Sequence, residues 1–123
     1  MRNPLEQLAM GQLANLQRSL AEAAEEADRE LRSTKLEATS GGGAVRVTAT
    51  GLGELIDVKL DPNVITGEDD QLALLEDLIA DAVRNVMELA SQRAAEVRRD
   101  KLRASGPFAM LEQMGIDLSA FGT

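Results

Sequence analysis

The sequence predicts an α+β fold, of the broad α/β class, in which a long N-terminal helix, a three-stranded antiparallel β-meander and a long C-terminal helix follow one another. Three observations predict it. Apolar residues recur every three or four positions through the first quarter of the chain; the spacing falls to two between Leu36 and Leu60; and helical spacing returns from Leu72 to Val97. At 123 residues the chain is one domain's worth of protein, near the size at which association with another copy supplements the core.

The first helix is read from Pro4 to about Leu31, with Leu5, Leu8, Leu13, Leu16, Leu20, Ala23, Ala27 and Leu31 on one stripe. Asn3 and Pro4 suit its start. Leu36, Ala38 and Ser40 then alternate with Glu37 and Thr39, and Val45, Val47 and Ala49 with Arg46 and Thr48, across the turn Gly41-Gly42-Gly43. A second turn at Gly51-Leu52-Gly53 leads to Ile56, Val58 and Leu60, alternating with Asp57 and Lys59. The meander so formed has an apolar face and a face of mixed charge, Glu37, Arg46, Asp57 and Lys59, suited to cross-strand pairs. Asp61-Pro62-Asn63 ends the sheet, because proline lacks the ladder's N–H. Thr66, with Asp69 three residues on, has the spacing of a capping box for the second helix, which runs to about Arg103. Gly106-Pro107 stops it. Residues 1–103 thus form the domain and 104–123 an apolar tail, rich in Phe108, Met110, Leu111, Met114, Ile116, Leu118 and Phe121.

Composition narrows the chemistry. The chain has no His, Cys, Tyr or Trp, so the usual general acids, bases and thiol nucleophiles are missing, and neither a cofactor nor a metal is expected. Glu68, Asp69 and Asp70 would complement a helix's positive end as readily as they would bind a cation. Gly41-Gly42-Gly43 lacks the Gly-Lys-Ser/Thr of a phosphate loop, and Ile56 stands where the third glycine of a dinucleotide fingerprint would be. No apolar run reaches the roughly 20 residues that span a bilayer, and the expectation is a cytoplasmic protein without a membrane partner.

The formal net charge is −8, yet the charges are unevenly placed. Arg93, Arg98, Arg99, Lys101 and Arg103 face only Glu96 and Asp100 in the same stretch, a local excess of three positive charges. Such a basic helix end can contact phosphates, or it can simply offset the helix dipole. A second basic group, Arg29, Arg32 and Lys35, closes the first helix, and Arg18 lies nearer its start. With no aromatics beside these cations, duplex backbone contact is expected rather than base stacking.

The stretches Leu36 to Thr48, Asp57-Val58-Lys59-Leu60-Asp61-Pro62 and Leu74-Leu75-Glu76-Asp77-Leu78-Ile79, continued by Ala82, Val83, Asn85 and Val86, resemble the YbaB/EbfC family over roughly Leu13 to Lys101. The resemblance implies a sheet flanked by long helices, a tight homodimer whose projecting helices grip duplex DNA, and a bacterial nucleoid-associated protein of low sequence preference that influences gene expression, acting in the cytoplasm and not as an enzyme. Combined with the charge distribution, it makes Arg18, Arg93, Arg98, Arg99, Lys101 and Arg103 the expected DNA contacts. The alternative is a protein-binding adaptor in a secretion or targeting context, using the helices and a partner for residues 108–121.

Overall fold

A computed structural model describes residues 3–115. Helix α1 (Pro4–Ser33) is followed by β1 (Lys35–Ser40), β2 (Val45–Thr50) and β3 (Leu55–Leu60), then α2 (Asp69–Ala104) and α3 (Gly106–Gln113). Chain contacts divide the molecule into two units: Glu30–Ala95, and Met1–Arg29 with Glu96–Thr123.

In the first unit the strands form one antiparallel sheet in the order β1-β2-β3. The three-glycine turn joins β1 to β2 with all its residues at positive φ, between 60° and 98°, a region open to glycine at little steric cost. The middle strand is buried on its apolar face: Val45, Val47 and Ala49 are completely covered, packed against Ala82 and Val86 of α2. Ser40 donates from its hydroxyl to the Leu78 carbonyl at 2.6 Å, fixing the end of β1 to α2. On the opposite face Arg46 and Glu37 form the expected cross-strand ion pair, at 3.5 Å. The ladder between β2 and β3 is irregular at Thr48/Ala49, where Ala49 pairs with Leu55 and Ile56 is the extra residue of a bulge.

Gly51 is the tightest point of this unit. Its N–H reaches the carbonyls of Leu31 and Thr34, at 2.9 and 3.0 Å, and a Cβ there would stand 2.8 Å from a Leu31 methyl carbon. Only glycine lets the strand end meet the last turn of α1 so closely.

Helix boundaries follow local chemistry. The Asn3 side-chain oxygen accepts from the Leu5 N–H at 3.1 Å, capping α1 where the sequence placed its start. At α2 the expected box between Thr66 and Asp69 is not the one that forms. Gly67 turns the chain at φ 80°, Asp69 becomes the first helical residue, and Gln71 reaches back instead, accepting from both the N–H and the hydroxyl of Thr66. The left-handed glycine inserts a bend between cap and helix, so the partner moves two residues along.

In the other unit Ala23, Ala27 and Val97 are buried and Leu102 is half-buried. α2 does end before Gly106-Pro107, with Ser105 donating to the Leu102 carbonyl at 2.6 Å, but a further helix opens there at once. Proline in a first turn costs no hydrogen bond, so the residues that end α2 also begin α3. Ile116, Leu118 and Phe121 of the expected tail lie outside the described residues.

Candidate nucleic-acid interface

The basic residues singled out by charge do not share one face. Arg18, Arg98, Arg99, Lys101 and Arg103 belong to the unit of Met1–Arg29 with Glu96–Thr123, whereas Arg93 belongs to Glu30–Ala95. At about 100° per residue along α2, Arg99 and Arg103, four apart, lie on one side of the helix, while Arg98 and Lys101 point elsewhere.

Their surroundings differ too. Arg98 is exposed and lies 3.6 Å from the Asp28 carboxylate of α1. Both side chains are more than half exposed, and a pair of this kind contributes about 0–1 kcal/mol, so it tempers the cation without removing it from reach of another anion. Lys101 is half-buried and lines a polar groove with Ser19, Glu22, Glu26 and Ser105. Arg103 is also half-buried and engaged in an interaction of its own. Arg93 is exposed but engaged in an interaction of its own. Arg18 and Arg99 are exposed and carry no ion pair among the described residues. Of the six cations named from the charge distribution, only these two show no such engagement among the described residues.

The acidic middle of α1 is the feature that counting charges within α2 overlooks. Asp28 reaches Arg98 from seventy positions away, a contact that no local window contains. Glu68, Asp69 and Asp70 sit at the start of α2, where Asp69 and Asp70 occupy its first turn and complement its positive end. Among the described residues no group of three or more acidic side chains is placed to hold a metal ion, and no helix is long and apolar enough to cross a membrane.

The element order of helix, meander and long helix places the chain in the α+β class. The chain belongs to the YbaB/EbfC DNA-binding family, which it matches over residues 5–102. A nucleoid-associated protein of Dictyoglomus turgidum is 42% identical over 96 residues, covering 78% of this chain and 85% of the relative. One of a Sulfurihydrogenibium species is 32% identical over 116 residues, covering 91% and 94%. The crystal structure of uncharacterized protein HP0035 from Helicobacter pylori has the same fold, with a TM-score of 0.65 at 21% identity over 75% of this chain and 95% of that one.

Proposed function

We propose that this chain is a non-catalytic nucleoid-associated protein of the bacterial cytoplasm that binds duplex DNA, as a homodimer, through backbone phosphates and with little sequence preference. The observation that carries the reading is the family match over residues 5–102. The absence of His, Cys and Tyr supports a role without covalent chemistry. Arg18 and Arg99 lead the contacts, Arg98 joins them when a phosphate displaces Asp28, and Arg93, Lys101 and Arg103 contribute less because each is already engaged. A net charge of −8 keeps the affinity modest and strongly dependent on salt. Nothing in the family match favours the adaptor reading.

Fluorescence anisotropy with a labelled duplex at several salt concentrations tests this. Binding weakens as salt rises, and Arg18→Ala with Arg99→Ala lowers affinity about ten-fold at low salt while reducing the salt slope by about 2. No binding at low salt would overturn the function; full binding by the double variant would overturn the assignment of the contacts.

A further inference from the structure

The opening of α2 carries a surface that the DNA reading does not use. A groove of about 390 Å³ lies against it, lined by Leu74, Leu75 and Leu78 together with Gly41, Ala44 and Val64, all within the unit Glu30–Ala95. That volume is near the lower end of the roughly 300–1,000 Å³ of sites that enclose a ligand, enough for one or two large side chains. The one polar side chain in the groove is Gln71, already accepting from Thr66. Gln71 and Leu75 also line a second hollow, together with Leu72 and Ile65. Leu72, Leu74 and Ile65 are each more than half exposed, so the two hollows form one apolar surface.

The rim of this surface is acidic. From Leu60 to Val83 the chain has seven Asp and Glu and neither Lys nor Arg. At about 100° per residue, Asp70, Asp77 and Asp81 fall within about 60° of Leu74 on α2, on the flank away from Leu75 and Leu78. Glu68 and Asp69 border the second hollow. Local structure accounts for part of this charge. Asp61 accepts from the Asn63 N–H at 2.9 Å, Asp69 and Asp70 complement the positive end of α2, and Asp81 pairs with Arg84. It does not account for Glu76 and Asp77, which lie beyond the first turn and carry no ion pair among the described residues. Acids gathered in this way repel a phosphate backbone and attract cationic groups.

We propose that the groove docks a cationic segment of another protein, one that carries two large apolar side chains among Lys or Arg. The apolar side chains fill the space beside Leu74 and Leu78, and the flanking cations meet Asp70 and Asp77. Each part needs the other. Exposed ion pairs alone contribute little, whereas an apolar anchor with complementary charges around it both holds a short segment and selects it. The inference neither needs nor alters the DNA-binding reading.

Fluorescence anisotropy of the full chain with three short labelled peptides tests it: one alternating pairs of Lys with pairs of Leu, one with its Leu replaced by Ser, and one with its Lys replaced by Glu. The first binds at low salt with a dissociation constant of about 100 µM or below, and the other two bind at least about ten-fold more weakly. Leu74→Ser weakens the first peptide about ten-fold and keeps its salt dependence, because it removes apolar contact alone. Asp70→Asn with Asp77→Asn weakens it by about the same factor and flattens the salt dependence. Glu54→Gln with Asp57→Asn takes the same charge from β3 and the turn before it, and leaves binding within about two-fold. Circular dichroism confirms that each variant is folded. Failure of the first peptide to bind overturns the proposal, as does binding that Leu74→Ser leaves unchanged. Equal losses in the two doubly neutralised variants also overturn it, since they would mark a response to net charge rather than to the groove.

Discussion

Leu13 and Leu31 stand on the same stripe of α1, eighteen residues and so about five helical turns apart, yet one is 55% exposed and the other is completely buried. The first half of the helix shows Leu5, Leu8 and Met10 to solvent; Ala23 and Ala27 further along are covered. The contrast teaches that periodicity identifies the face on which a helix can be buried but not what lies against it. A leucine contributes its full transfer free energy only where neighbours close around it.

Substitutions can break or sharpen this contrast. The largest effect falls on Leu31→Ala, which empties a site enclosed by the end of β2 and costs about 3 kcal/mol of unfolding free energy in urea denaturation. Gly51→Ala attacks the same contact from the other side: the added carbon meets the Leu31 side chain at 2.8 Å and its carbonyl at 3.0 Å, for about 2 kcal/mol. Asp28→Asn releases Arg98 and removes a negative charge; DNA affinity by anisotropy rises about two- to three-fold, with little change in stability. The smallest effect is at Leu13→Ala, within about 0.5 kcal/mol in the same denaturation series. A loss comparable to that of Leu31→Ala would show that another surface covers the N-terminal half of α1 in solution.

Most of the fold was legible because each element carries its own period. Periodicity predicts α1 from Pro4 to about Leu31, and it runs to Ser33; it predicts the second helix to about Arg103, and that helix runs to Ala104. All three strands and both glycine turns stand where alternation placed them. The exceptions share a cause. The Thr66–Asp69 cap fails because Gly67 adds a bend that residue spacing does not register, and α3 was not assigned because Gly-Pro reads as a stop although proline also suits a helix's first turn. The candidate site was less legible than the fold. A run of five cations in eleven residues looks like one patch on paper, but each step turns the side chain by about 100°, and the fold sets Asp28 beside Arg98 and carboxylates around Lys101.

The turn between β1 and β2 offers a practical handle. At Gly41 a side chain would press on Leu78, 2.9 Å away, but Gly42 and Gly43 look onto open space. The hairpin tip is therefore where a short epitope or a spectroscopic label can be spliced into the loop without disturbing the packing beneath.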